Sequence, residues 1–335
     1  MLRNTILLSV FFLCTTFLSH AQQIESVQQG KRTSIRGLSV VDDSVAWISG
    51  SRGNIAITTN GGKTWAWQQV KGFEQADFRD IEAFSAKEAV IMSSGTPALI
   101  LKTTDGGASW QEKYRNTDTT YFLDAMDFDT PKHGILLGDP IKNKFLLLET
   151  NDGAETWHSF KNQPDATTGE AAFAASGTCL RISKGEISIV TGGPITHLLT
   201  ANIKNPVWNV VNLPIAHGIS SKGTFSISSD NAITVGGNYS KDKVPDSVAS
   251  SISANKNKIA YELIQKGPAG YQSCVELINK NTYLSTGTSG SNITTDGGKT
   301  WAKIDNISYN VCRKARNGKL VLLAGDGGKI GVLIF

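Results

Sequence analysis

The hydrophobic positions of the chain fall in short runs, and turns rich in Gly, Asn and Asp separate them. Seven of these runs end in a glycine, at spacings of 38 to 54 residues. They are Trp47–Gly50, Val90–Gly95, Ile135–Gly138, Ile187–Gly192, Ala232–Gly236, Tyr283–Gly287 and Val321–Gly325. Short apolar runs between turn residues are typical of β-strands, and no helical periodicity competes with them. The pattern therefore predicts seven copies of one β unit.

A second motif marks a tight turn within these units. It occurs four times, at Thr58–Trp65, Thr103–Trp110, Thr150–Trp157 and Thr294–Trp301. An apolar run, an Asx-Gly turn and a stretch that begins with Trp together predict a β-hairpin. The Asx side chain satisfies backbone amides of its own turn, and the Trp packs inward. Units four and five lack the motif but keep an aromatic residue in its place, namely Trp208 and Tyr261.

The length of the repeat predicts the fold. Seven units over residues 30–335 average about 44 residues, which is the size of a four-stranded propeller blade. The last unit is one strand short, whereas Gln22–Gln29 has no place in the first blade, which begins near Ile35. We therefore predict an all-β, single seven-bladed β-propeller over residues 22–335. The N-terminal strand completes the last blade and closes the ring, and we expect a monomer.

The first 21 residues have the pattern of a signal peptide. Arg3 precedes an apolar run from Ile6 to Leu18, and Ser19-His20-Ala21 provides a cleavage site with small residues. This run is too short for a membrane span, which needs about 20 apolar residues. Cys14 follows bulky Phe12 and Leu13, where a lipoprotein signal has small residues. The sequence thus predicts cleavage near Ala21 and an exported protein, periplasmic or secreted, without a membrane span.

Composition and cysteine spacing exclude several classes of function. The chain is 40% hydrophobic and only 19% charged, with a net charge of +4, which argues against disorder and against a nucleic-acid partner. Cys179, Cys274 and Cys312 have no metal-ligand spacing. Cys274 and Cys312 occupy matching positions in adjacent units, where either a disulfide or two buried thiols is possible, and we expect thiols. The glycine-rich turns lack the strand–helix context of a phosphate loop. We predict no metal and no cofactor.

The repeats resemble known propeller families. The T-x-[DN]-x-G-x-[ST]-W units are similar to the Asp-box, or BNR, repeats of sialidases and related glycosidases. The arrangement of seven such units, with Phe-Arg-Asp-Ile at Phe78–Ile81, resembles the photosystem II stability and assembly-factor propellers. That resemblance implies a non-catalytic protein-binding scaffold with an Arg-rich patch on one face, and Arg36 and Arg79 match this patch by position. The boxes themselves are expected to be structural turns.

Blade topology predicts which residues share a face. We call the side with the first and third turns of each blade the box face, because it carries the Asp-boxes. The opposite side, with the second turns and the connections between blades, is the link face. Seven candidate binding residues are expected together at the channel mouth on the link face, where Phe173 of the long connection Asn162–Ser176 also belongs. They are Arg36, Arg52, Arg79, Arg313, Asp124, Asp139 and Glu170.

Two functions are compatible with such a mouth. Arginine clusters bind carboxylates and phosphates through the guanidinium fork, which favours a protein partner, although each Arg can instead pair with a nearby Asp. The alternative is a glycoside hydrolase or a glycan-binding protein. Hydrolysis requires two carboxylates about 5–10 Å apart, and the candidates are Asp124, Asp139 and Glu170.

A sialidase is the most specific form of this alternative. It would use Arg36, Arg79 and Arg313 as a carboxylate-binding triad, with Glu170 and either Tyr239 or Tyr309. However, Ser34–Gly37 departs from the sialidase F/Y-R-I-P opening, and sialidase propellers have six blades. Whether the protein is an enzyme stays open, with preference for a binding function.

Overall fold

The computed structural model describes residues 22–253 and 259–335. Within this part, 28 β-strands form seven four-stranded antiparallel sheets, and a single turn of 3₁₀-helix spans Tyr239–Lys241. The seven-bladed, all-β propeller predicted from the repeats is confirmed. The predicted signal peptide lies outside the described residues.

The strands are numbered along the chain, and β1 (Gln23–Gln28) comes first. Blade one contains β2 (Ile35–Val40), β3 (Ala46–Gly50), β4 (Asn54–Thr58) and β5 (Ala66–Gln69). Blade two contains β6 (Asp77–Ala83), β7 (Ala89–Ser94), β8 (Ala98–Thr103) and β9 (Gln111–Asn116). Blade three contains β10 (Leu123–Phe128), β11 (Gly134–Ile141), β12 (Lys144–Thr150) and β13 (His158–Ser159). Blade four contains β14 (Leu180–Ser183), β15 (Glu186–Val190), β16 (His197–Asn202) and β17 (Asn209–Asn212). Blade five contains β18 (Lys222–Ile227), β19 (Ile233–Asn238), β20 (Ala249–Ile252) and β21 (Tyr261–Leu263). Blade six contains β22 (Cys274–Asn279), β23 (Thr282–Gly287), β24 (Gly290–Thr294) and β25 (Ala302–Asp305). Blade seven contains β26 (Val311–Lys314), β27 (Val321–Gly325) and β28 (Lys329–Ile334), together with β1.

The first strand closes the ring. β1 runs antiparallel to β28, with Gln23 opposite Ile334 and Ser26 opposite Gly331. Ile24 and Val27 pack against the hydrophobic cluster that blades six, seven and one share. The edge of β28 is thereby paired, so it does not present free backbone groups to other chains. The predicted closure by the N-terminal segment is confirmed.

The Asp-boxes form the turns between the third and fourth strands, as predicted. In the first box, Thr58 Oγ1 accepts a hydrogen bond from the amide of Gly62 at 3.0 Å, and Asn60 Oδ1 accepts one from the amide of Thr64 at 3.0 Å. The other three boxes repeat this pattern with an aspartate that also accepts from a Ser or Thr hydroxyl. These hydrogen bonds lower the pKa of Asp105, Asp152 and Asp296 to about 2. Turn geometry therefore accounts for the Thr and Asx side chains of the motif.

The core lies between adjacent blades. Trp47 of blade one is fully buried and meets Trp110 of blade two edge-on, with ring centroids 6.3 Å apart. Phe84 of blade two and Phe128 of blade three make a similar contact at 5.2 Å. Cys179, Cys274 and Cys312 are buried free thiols, and Cys274 Sγ donates to the carbonyl oxygen of Cys312 at 3.3 Å. The expectation of thiols rather than a disulfide is confirmed.

The polar segment that follows β19 in blade five is divided by a strand. β20 begins at Ala249, so the second turn of this blade ends at residue 248. Residues 254–258 lie outside the described part. Over residues 22–253 and 259–335, no helix is long and apolar enough to cross a membrane, and no three His, Cys, Asp or Glu side chains gather into a metal site.

Candidate functional site

A cavity of about 530 Å³ opens at the link-face end of the central channel. We call it the link mouth. Four of the seven predicted binding residues line it, together with a set of aromatic side chains and one further aspartate. These residues are Arg36, Arg79, Asp124 and Asp139; Phe122, Phe173, Phe225, Tyr239 and Tyr271; and Asp326.

The four predicted residues share one local backbone feature. Each lies at a shift in the strand register, where one residue is left without a partner in the ladder. Arg36 interrupts the pairing of β2 with β3, Arg79 that of β6 with β7, and Asp124 that of β10 with β11. Asp139 lies at a shift between β11 and β12. A β-bulge bends the strand and redirects a side chain, and here each bulge brings a charged side chain to the mouth.

The two arginines are neighbours, and each is already held by groups of this chain. Arg79 Nε bonds to Asp77 at 2.8 Å, and its guanidinium carbon lies 5.7 Å from the centre of the Phe122 ring. Arg36 donates to Ser34 Oγ, which in turn donates to Asp326. Burial and the nearby charge of Arg79 lower the pKa of Arg36. The guanidinium groups are therefore positioned on the rim before any ligand arrives.

Asp124 and Asp139 form a pair of carboxyl groups in the same mouth. Asp124 is fully buried, and neither carboxyl oxygen has a hydrogen-bond partner of ordinary geometry in the described part of the chain. Burial and the neighbouring Asp139 raise the pKa of Asp124 well above its usual value. Asp139 is partly exposed and accepts one hydrogen bond from the amide of Ala172 at 3.3 Å. Burial raises the pKa of Asp139 to about 6.

Aromatic side chains form a further part of the cavity wall. Phe173 stacks on Phe225 with centroids 3.8 Å apart, and Tyr271 meets Phe225 edge-on at 4.8 Å. Tyr239 is half exposed and meets the same ring edge-on at 6.1 Å. Phe173 comes from the long connection before blade four, as predicted. The wall offers apolar surface beside charged groups, the usual composition of a ligand cavity.

Arg313 does not reach the link mouth, in contrast to the prediction. β26 pairs with β27 without a register shift, and Arg313 stands opposite Leu322 within the ladder. The side chain therefore lies inside the channel, buried, and donates to the carbonyl oxygen of Ser176 at 3.3 Å. Without a bulge, the strand does not turn this residue toward the rim.

Two further predicted residues lie outside the cavity. Arg52 is exposed in the turn between β3 and β4, where its φ of 61° forms the tight hairpin. Glu170 is buried and accepts from Thr191 and from the amide of Thr167, and it lies 2.9 Å from Nδ1 of His197. Burial alone would raise the pKa of Glu170, but these hydrogen bonds lower it. Glu170 therefore anchors the connection to blade four and is not a free carboxylate of the mouth.

The sialidase-type arrangement of side chains is also not assembled. Arg313 is separated from the two rim arginines, and Tyr309 is completely buried in the core. Tyr239 lines the cavity, but Glu170 does not. The structure therefore does not bring together the triad or the Tyr–Glu pair considered for this alternative.

The opposite end of the channel carries a second cavity, of about 470 Å³, which we call the box mouth. It is lined by charged residues in pairs. Arg181 bonds to Glu276 at 2.9 Å, and Arg316 bonds to Glu82 at 2.8 Å. Arg313 borders this cavity. The paired charges make the box mouth a network of ion pairs within the channel.

Sequence reasoning missed Phe122, Phe225, Tyr271, Asp77 and Asp326. Phe225 occupies the same bulge of its inner strand as Arg36 and Arg79 do in theirs, and Asp77 is the first residue of β6. Phe122, Tyr271 and Asp326 lie on connections and turns, where spacing along the chain does not determine which side chains converge.

Comparisons with known proteins agree with the fold and with the sequence resemblance. The profile of the family described as photosynthesis system II assembly factor YCF48 matches residues 18–117. The photosystem II assembly lipoprotein Ycf48 of Synechococcus sp. (strain CC9902) is 25% identical over 150 residues. This match covers 44% of the present chain and 42% of that relative.

Two further relatives extend the comparison. The chloroplastic photosystem II stability/assembly factor HCF136 of Oryza sativa subsp. japonica is 37% identical over 73 residues, which cover 21% of this chain and 17% of the relative. The chain thus matches less than half the length of either curated relative. A solved structure described as YCF48 bound to D1 peptide has a TM-score of 0.68 at 16% identity and covers 93% of this chain and 96% of its own. The resemblance carried by the repeats is confirmed: the chain is a seven-bladed propeller distantly homologous to the photosystem II assembly factors Ycf48 and HCF136.

Proposed function

We propose that this protein is an exported, non-catalytic scaffold or assembly factor that binds a segment of a partner protein at the link mouth. The observation that carries the proposal is the side-by-side position of Arg36 and Arg79 on the rim of a cavity with aromatic walls. A volume of about 530 Å³ accommodates a few side chains of an extended segment. The guanidinium groups keep free donors for the carbonyl or carboxylate oxygens of that segment.

The comparisons support the same assignment. The structurally similar YCF48 is described as bound to a D1 peptide, and we extend peptide binding, although not the identity of that peptide, to the present chain. Export is supported by the signal-peptide pattern of residues 1–21. It also agrees with relatives that are described as a lipoprotein and as chloroplastic.

A glycan-directed function is the second candidate, because the mouth holds two carboxyl groups beside aromatic rings. Hydrolysis by two carboxylates needs both to contact the substrate. The oxygens of Asp124 are buried, and Glu170 is bound within the connection to blade four. Of the three carboxylates considered for catalysis, only Asp139 is exposed to a ligand in the cavity. The arrangement therefore favours binding over hydrolysis.

Crosslinking of the native envelope, followed by mass spectrometry, tests the binding function. Arg36→Gln combined with Arg79→Gln should remove the crosslinked partner, whereas Lys63→Gln combined with Lys299→Gln should retain it. The control pair removes the same charge from exposed Asp-box turns on the opposite face. Equal capture by both double variants would contradict the proposal. Turnover of 4-nitrophenyl glycosides by the unmodified chain that Asp139→Asn abolishes would establish the alternative.

A further inference from the structure

Some charged side chains of the link mouth have a group of opposite charge beside them in this chain, and others do not. Arg79 is paired with Asp77, and Arg36 is connected to Asp326 through Ser34. Each guanidinium thus has a carboxylate of this chain close by. Asp124 and Asp139 are the carboxyl groups of the mouth that form no salt bridge among residues 22–253 and 259–335, although the charge of Arg79 acts to lower the pKa of Asp124.

Asp139 is the member of this pair that a ligand can contact. One carboxyl oxygen accepts from the amide of Ala172, and the residue is partly exposed where it borders the cavity. The hydrogen bond from Ala172 acts to lower the pKa of Asp139 against the effect of burial, and no cation among the described residues lowers it further. A half-buried carboxylate of this kind gains from a cation that enters the cavity.

Asp124 adds an independent observation. It is completely buried behind the mouth, its oxygens have no ordinary hydrogen bond in the described residues, and it lines the cavity. A buried polar group without a partner costs stability. The Asp124 carboxyl group thus leaves hydrogen-bonding atoms without a partner on this side of the cavity.

The aromatic wall suits the same kind of ligand. Phe173 and Tyr239 are the partly exposed members of the wall, and both contact Phe225. Aromatic faces attract ammonium and guanidinium groups, and the attraction increases when the cation is desolvated. An acidic side chain at this point would instead face Asp139.

We propose that the segment bound at the link mouth inserts a Lys or Arg side chain, whose cationic group bonds to Asp139 against the Phe173 and Tyr239 rings. This inference rests on the proposed function, because it assumes that a protein segment occupies the mouth. The rim arginines alone would favour an acidic side chain on the partner, whereas this inference assigns a basic one. Arg36 and Arg79 then bind the backbone of the segment, while Asp139 selects one basic side chain.

Selection from a display library of random 12-residue peptides tests the inference on the full chain. We expect the recovered peptides to share a Lys or Arg at one position. Replacement of that residue by norleucine should weaken binding at least about tenfold, as measured by fluorescence polarisation, since a charge-assisted bond is lost. Asp139→Asn should cause a similar loss, and the two changes together should cost no more than either alone.

The controls separate two kinds of failure. Asp139→Asn keeps an acceptor for the Ala172 amide, and the norleucine peptide tests the contact even if this variant does not fold. Peptides whose binding needs Arg36 and Arg79 but tolerates norleucine would overturn this inference and leave the proposed function intact. If no peptide bound in a way that Arg36→Gln with Arg79→Gln abolishes, the proposed function itself would fail. Lys63→Gln with Lys299→Gln should change neither result.

Discussion

Glu25 of β1 stands directly opposite Val332 of β28, so that residues near the two ends of the described chain share one sheet. β1 is the fourth strand of blade seven, and its Ile24 and Val27 pack against the hydrophobic cluster that blades six, seven and one share. Closure of the ring therefore depends on a segment that precedes the first blade in the sequence.

Deletion of residues 22–30 should lower the melting temperature by about 10 °C or more, because it exposes the edge of β28 and part of that core. The measurement is a thermal unfolding curve followed by circular dichroism. Ile24→Asp should produce a smaller decrease in the full chain, whereas Glu25→Gln, at an exposed position of the same strand, should leave the curve in place. An unchanged melting temperature after the deletion would show that the ring closes without this strand.

The first Asp-box predicts how the other boxes respond to substitution. Asn60 fills the place of the aspartate, and its Nδ2 donates to Thr64 Oγ1 while its Oδ1 accepts from the Thr64 amide. Asp296→Asn should therefore reverse one hydrogen bond with Thr300 and change the melting temperature little. Asp296→Ala removes the acceptor and should lower it by a few degrees. Comparable curves for the two variants would contradict the assigned role of the turn.

The repeats predicted the fold because each blade carries its own turn chemistry and strand pattern. Seven glycine-terminated runs became the second strands of seven blades, and the missing strand of the last blade predicted the closure by β1. Local rules of turn and strand suffice for such statements, since every unit obeys them separately.

The site was predicted only in part, because a bulge of one residue decides which side chains reach the mouth. Arg36, Arg79 and Asp124 lie at bulges and reach it, whereas Arg313 lies in a regular ladder and does not. In the sequence, these residues lie at similar distances from the next strand of their blade. In the structure, a register shift changes the direction in which the side chain points. Neither the hydrophobic pattern nor the spacing of residues along the chain predicts that register shift.

The ion pair at the box mouth should be a structural element. Arg181 and Glu276 are both buried, and Glu276 also accepts from the amide of Lys314 at 3.3 Å. Glu276→Gln should reduce the free energy of unfolding by about 3 kcal/mol, since it leaves the Arg181 charge buried without its partner. Glu112→Gln, which breaks the exposed pair with Arg115, should cause no measurable change in denaturant unfolding. Neither variant should alter partner capture at the link mouth.

The carboxyl pair of the link mouth predicts a distinctive dependence of stability on pH. The pKa of Asp139 is about 6 in the folded chain and about 3.9 in the unfolded chain, so folding favours its protonated form. This contribution is complete below pH 4 and is lost as the pH rises through 6. Relative to the unmodified chain, Asp139→Asn should therefore gain roughly 1 to 3 kcal/mol between pH 4 and 7 and then level off.

Asp124→Asn provides the matched comparison, because burial and the neighbouring Asp139 raise the pKa of Asp124 well above its usual value. Its advantage over the unmodified chain should also grow as the pH rises above 4, because the unfolded chain ionises this carboxyl group more readily than the folded chain does. Urea unfolding at five pH values between 4 and 8.5 measures both differences, and a flat difference for Asp139→Asn would show that its carboxyl group is not held in an unfavourable environment. Asp139→Asn should be more stable at pH 7 and yet bind the partner segment more weakly, because a carboxylate kept without a counter-charge costs stability until a ligand supplies one.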